Sequence, residues 1–112
     1  MADKYEEPAP VTRAAYEHIV ATGTDEARRS ALVGLTLGGH CRDYVRDECL
    51  RLIGSTSWQT RAVAATCLGH LARIHGRLDS DRVRPALRAL LDDPRTAGAA
   101  EDALEDIAMF AG

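Results

Sequence analysis

The chain has 112 residues, a net charge of −3, 46% hydrophobic residues and only 4% aromatics. That length is one domain, able to bury roughly 65% of its unfolded surface. With 19 alanines and 9 glycines the interior must be filled by small side chains, which suits closely packed helices and excludes a β-sandwich or barrel built on branched and aromatic residues. No apolar stretch nears the ~20 residues of a membrane span, and the slightly acidic balance speaks against nucleic acid as the main partner. Cys41, Cys49 and Cys67 are odd in number and lack the spacing of a disulfide framework, as expected of reduced thiols in the cytoplasm.

Residues 1–10 (MADKYEEPAP) are polar, hold two prolines and read as a flexible arm without the apolar centre of a secretory signal. Residues 11–112 form the single folded domain. A helical period begins at Val11, and Gly23, Gly38-Gly39, Gly54, Gly76 and Pro94 punctuate it. Six helices are expected, near 11–22, 25–38, 41–53, 57–75, 80–92 and 96–110. Thr24 or Asp25 can cap the second, Ser57 the fourth, and Asp79 or Ser80 the fifth, each by accepting from first-turn N–H groups. Asp93-Pro94 makes a stop and restart before the sixth.

An internal repeat organises these helices. ARRSALVGL (27–35), VAATCLGHL (63–71) and AAEDALEDI (99–107) align without gaps at an offset of 36 residues. Ala31, Cys67 and Ala103 coincide, as do Leu32, Leu68 and Leu104, and then Leu35, Leu71 and Ile107. At i, i+1 and i+4 these positions make one buried stripe shown three times. A second apolar helix separates the copies, so the unit is a helix pair, with units near 11–38, 41–75 and 80–110. Pairs of this size stack into α-solenoids, because one pair cannot bury its own face.

The run Trp58-x-x-Arg61-x-x-Ala64-Ala65-x-x-Leu68-Gly69 is similar to the second helix of a HEAT-type repeat, including the phycobiliprotein-lyase variety. The resemblance is full in the middle unit and degenerate outside it: Asp93-Pro94 keeps the turn of the third unit, but Ala97 stands where Arg61 stands in the second. It implies an all-α, short, right-handed solenoid of three HEAT-like helix pairs, with Arg61 bracing neighbouring turns. Trp58, at the start of the fourth helix, is expected to pack under the inter-helix corner; exposed there, it would be a binding anchor.

Catalytic and metal chemistry find little support. Cys67 and His70 share a helix face at i, i+3, and His40-Cys41 lie near Cys49, but a structural zinc needs four ligands and two are at hand. Cys67 also occupies a stripe position that is Ala in the other copies. No phosphate-binding glycine loop occurs, and a catalytic Cys–His pair would also need a third orienting group and an oxyanion hole. The expectation is a chain with no catalytic residues, no metal and no cofactor.

Charge is unevenly spread. Residues 61–91 set six arginines against Asp79 and Asp81, a net of +4, whereas residues 92–112 set Arg95 against Asp92, Asp93, Glu101, Asp102, Glu105 and Asp106, a net of −5. The repeat places the surface positions of the second helices on rungs: Ser30, Thr66 and Asp102; then Gly34, His70 and Asp106; then Leu37, Arg73 and Met109. The expected partner-binding residues are Thr66, His70, Arg73, Glu101, Asp102, Glu105 and Asp106, with Ser30 and Gly34 leaving room in the groove. A basic protein surface complements such a patch. The outer face with Arg42, Tyr44 and Arg46 is the other possible docking surface.

Small, acidic, single-domain HEAT-like chains resemble the immunity proteins that accompany bacterial polymorphic toxins. That resemblance implies a non-catalytic inhibitor that holds a basic toxin. A general adaptor or assembly scaffold fits the same residues. A HEAT-fold enzyme or nucleic-acid binder fits less well, because the groove is mixed in charge and the chain short.

Overall fold

The computed structural model describes residues 11–111; the 1–10 arm expected from the sequence lies outside the described residues. The described chain is all-helical, with six α-helices and no strand. The helices are α1 (Arg13–Thr22), α2 (Asp25–Gly38), α3 (Arg42–Leu52), α4 (Trp58–His75), α5 (Ser80–Arg88) and α6 (Pro94–Asp106).

Their ends follow from local side-chain chemistry. The hydroxyls of Thr12, Thr24 and Ser57 accept from the amides of Ala15, Ala27 and Thr60 at 3.1, 3.1 and 3.3 Å, satisfying first-turn donors of α1, α2 and α4. Asp93 does the same for α6, accepting from the Arg95 amide at 2.9 Å, with Pro94 in the first turn where its missing N–H costs nothing. Gly39 and Gly76 end α2 and α4 in the left-handed region, at φ 75° and 71°, which a β-carbon would strain.

Two local expectations are corrected. Neither Asp79 nor Ser80 caps α5: Asp79 itself sits at φ 48°, and its carboxylate accepts from Arg82 at 3.4 Å instead. The fifth helix also stops at Arg88, and Ala89–Asp92 tighten into a 3₁₀ turn. Pro85 inside α5 removes a backbone donor, and the chain must then turn sharply into Asp93-Pro94. At the other end α6 loosens into a π-helical turn over Ile107–Ala111.

The second helix of each pair lies at the centre. α2 packs on α4 and α4 on α6, while α1, α3 and α5 pack on α2, α4 and α6 respectively. The repeated stripe is the seam between them. Ala31, Leu32, Leu35, Cys67, Leu68, Leu71, Ala103 and Ile107 are all buried, and only Leu104 is half-exposed. Gly69 brings the two helices close. A β-carbon there would stand 3.1 Å from Ala103 Cα, too tight for a methyl group without backbone movement.

Polar braces hold the corners. Arg61 donates through Nη1 to the Ser55 carbonyl at 2.8 Å and through Nη2 to Asp93 Oδ2 at 3.1 Å, tying the start of α4 to the start of α6. Hydrogen bonds from Arg95, reinforced by Arg61, hold the Asp93 carboxyl down to about 2. Trp58 is half-buried, with the Arg95 guanidinium 5.8 Å from its ring centre. Near the other end of the molecule, Tyr16 is buried and donates its hydroxyl to Glu48, which also binds Arg51 at 2.7 Å. Cys49 and Cys67 are buried against one another between α3 and α4, and their interaction together with burial pushes the Cys49 thiol well up. All three cysteines are thiols.

Candidate functional site: the α4–α6 face

The α4–α6 contact is the most extensive helix–helix contact among the described residues. It carries the residues expected to bind a partner. Thr66 and Arg73 on α4, and Glu101, Asp102 and Glu105 on α6, are exposed, whereas His70 and Asp106 are half-buried. Asp106 is drawn in by Gly69, where a β-carbon would lie 3.0 Å from Asp106 Oδ2. The face is thus continuous across both helices, because small residues let the backbones approach.

No ion pair among the described residues joins His70 or Arg73 to any of the four α6 carboxylates. The only arginine on α6, Arg95, is two turns away from Glu101 and is spent on Asp93 at 3.1 Å. The four carboxylates on the second half of α6 thus form no ion pair among the described residues. Among the described residues no three His, Cys, Asp or Glu side chains gather as metal ligands.

The α2 part of the expected groove is different. Ser30 is exposed, but Gly34 is buried and leaves no room for a partner. Of the expected groove, the exposed positions therefore lie mainly on α4 and α6.

An apolar edge went unrecognised in the sequence reading. Leu37, Ile74, Met109 and Phe110 are 50%, 44%, 75% and 44% exposed at the C-terminal ends of α2, α4 and α6. These ends lie close together: a β-carbon at Gly39 would stand 3.7 Å from Ile74 Cγ2, and one at Gly76 would stand 3.5 Å from the Phe110 carbonyl. Carrying the 36-residue register one position past Leu37, Arg73 and Met109, to Gly38, Ile74 and Phe110, was the signal that would have found it. Asp106 is i−3 and i−4 from Met109 and Phe110, so the acidic row runs directly into the apolar edge. Clustered exposed apolar side chains of this kind mark interaction surfaces.

The outer face offers a contrast. Arg42 and Arg46 pair with Asp43 at 2.9 and 3.4 Å, Arg46 also pairs with Asp47 at 3.0 Å, and the Arg13 guanidinium stacks 3.9 Å over the Tyr44 ring. Its charges are answered within the molecule.

No protein-family model matches the chain, and no curated protein matches it. Among solved structures it is similar to a chain in the crystal structure of a CDI complex from Cupriavidus taiwanensis. The two share 31% sequence identity and superpose with a TM-score of 0.83 over 98% of this chain and 99% of that one. Identity and near-complete coverage of both chains show common descent as well as a common fold: this protein belongs to the family of that CDI-complex chain.

Proposed function

We propose that the protein is the immunity member of a contact-dependent inhibition pair, a non-catalytic cytoplasmic inhibitor that binds a toxin. The observation that carries this reading is the full-length similarity to a chain of a CDI complex. In this reading the three helix pairs form a short right-handed HEAT-like stack, and 1–10 is an arm outside it. The toxin docks on α4 and α6, on Thr66, His70, Arg73, Glu101, Asp102, Glu105 and Asp106.

The unpaired carboxylates favour a basic partner surface. Their attraction speeds encounter and weakens as salt screens it. The adjoining Ile74, Met109 and Phe110 supply apolar area that water leaves on binding, and interface cores are enriched in such Met and aromatic anchors. The charged row thus selects and steers the partner, and the apolar edge slows its release.

The test is co-expression with the toxic domain encoded beside this chain's gene. The chain should restore growth and co-purify with that domain, whereas Asp102→Lys with Glu105→Lys should do neither while folding normally. Growth inhibition that the native chain fails to relieve would refute the inhibitor role.

A further inference from the structure

A cleft lies at the edge opposite the Leu37–Phe110 ridge. It has a volume of about 280 Å³ and lies where the starts of α2 and α4 meet the end of α3 and the flank of α1. Val20, Leu32 and Leu52 form apolar walls, and Arg28, Arg29, Arg51 and Thr60 stand around them.

The charges around the cleft do not cancel. Asp25 pairs with Arg28 at 3.0 Å, and Glu48 pairs with Arg51 at 2.7 Å. Among the described residues Arg29 has no carboxylate within ion-pair reach, and its one polar contact there is a long 3.5 Å bond to the Thr60 hydroxyl. It is nonetheless half-buried, so it has surrendered part of its hydration without a counter-ion. The Arg29–Thr60 contact also shows that the N-terminal ends of α2 and α4 lie side by side here. Their dipoles add positive potential to the same spot.

We infer that this cleft is a binding site for a monocarboxylate carried on a short apolar stem. The planar guanidinium of Arg29 matches a carboxylate bidentately, and the Thr60 hydroxyl, which accepts from Arg29, keeps its own proton to donate. The apolar walls take the stem. At the ~30 Å³ that a water occupies in the liquid, the volume admits about ten non-hydrogen atoms. Asp25, which lines the cleft, selects for a single negative charge and disfavours a phosphate dianion. Two sources supply this chemistry: a free organic acid, or the C-terminal residue of a polypeptide. The site uses only the first turn of α4 and none of the residues of the α4–α6 face, and it does not depend on the inhibitor reading.

The test is calorimetric titration of the full chain with hydrocinnamate for a free acid and N-acetyl-leucine for a chain terminus. Neutral hydrocinnamide and inorganic phosphate serve as controls. Saturable one-to-one binding of either carboxylate is expected in the micromolar-to-millimolar range, with the tighter of the two naming the source. Hydrocinnamide and phosphate should bind at least tenfold more weakly. Arg29→Gln should weaken binding about tenfold and Thr60→Val severalfold, with unfolding midpoints close to the native one. Amide chemical shifts of residues 28–32 and 58–61 should move in a parallel NMR titration. The site is refuted if neither acid saturates by about 10 mM, a weak-binding limit. Equal binding of hydrocinnamide, or unchanged binding by folded Arg29→Gln, also refutes it.

Discussion

α3 and α6 are both rich in charge, and they use it in opposite ways. α3 alternates Arg42, Asp43, Arg46, Asp47, Glu48 and Arg51, and each of its carboxylates is bound by an arginine one or three residues away. α6 bunches Glu101, Asp102, Glu105 and Asp106 in its second half, six or more residues from Arg95, its only cation. Charges at i, i+3 and i, i+4 meet on a helix, and charges two turns apart do not. The same residue types therefore yield a self-neutralised face on α3 and an open acidic face on α6. What a helix offers a partner depends on the spacing of its charges more than on their number.

The largest effect expected from this contrast is on binding. Asp102→Lys with Glu105→Lys should abolish capture of the proposed toxin, while Asp43→Lys with Asp47→Lys on α3 should leave it intact. Both pairs reverse two carboxylates, so equal losses would mean that only net charge matters. Asp106 is half-buried against Gly69, and a lysine there would disturb the helix contact as well as the charge, whereas Glu105 is exposed.

The two faces also differ in what supports them. Leu68 is fully buried in the seam beneath α6, and Leu68→Ala should cost about 2–5 kcal/mol in denaturant unfolding. Gly69→Ala should cost about 1–3 kcal/mol, because the new methyl meets the Ala103 backbone. A stability unchanged by Gly69→Ala would show that α4 and α6 sit further apart than described.

On the α3 side the corresponding support is polar. Tyr16→Phe removes a buried donor to Glu48 and should cost about 1.5–3 kcal/mol. Burial and the Glu48 carboxylate push the Tyr16 hydroxyl far up, so its contribution is complete below the ordinary tyrosine range near 10 and fades as pH rises above it. Burial pushes Glu48 up, but its bonds from Arg51 and Tyr16 outweigh that and hold it below its ordinary value. Asp93 is held at about 2. Both carboxylates thus stabilise the fold above pH ~4, and the contribution falls away as acid protonates them. Tyr16→Phe should flatten the alkaline limb of a stability–pH curve and leave the Asp93 part of the acid limb in place.

The smallest effects belong to single ion pairs on the surface of α3. Asp43→Asn should change stability by less than about 1 kcal/mol, since exposed pairs are screened and costly to order. Thiol labelling gives a last check on the α3–α4 seam: half-exposed Cys41 should react in the native state, and buried Cys49 and Cys67 only after denaturation.

Most of the architecture was legible from the residues. The 36-residue register placed eight of nine stripe positions in the core, and the Thr24, Ser57 and Asp93 caps were recognisable because capping is settled within four residues of chain. The same locality failed at α5, where Pro85 and the turn into Pro94 compete and Asp79 prefers Arg82 to the helix amides. The seven expected docking residues lie on the two packed helices α4 and α6, yet their exposure was not readable in advance. Asp106 is half-buried because Gly69 admits α6 so closely, and Gly34 is closed off within the α2 packing. The apolar edge was legible only in part, as the Leu37 and Met109 rung and the next register position, Ile74 and Phe110. The arginine cleft was not legible, because it gathers residues from four helices, and such a meeting depends on how the pairs dock. Helix identity, boundaries and buried stripes follow from neighbours a few residues apart; which charges stay unanswered follows from the distances between helices.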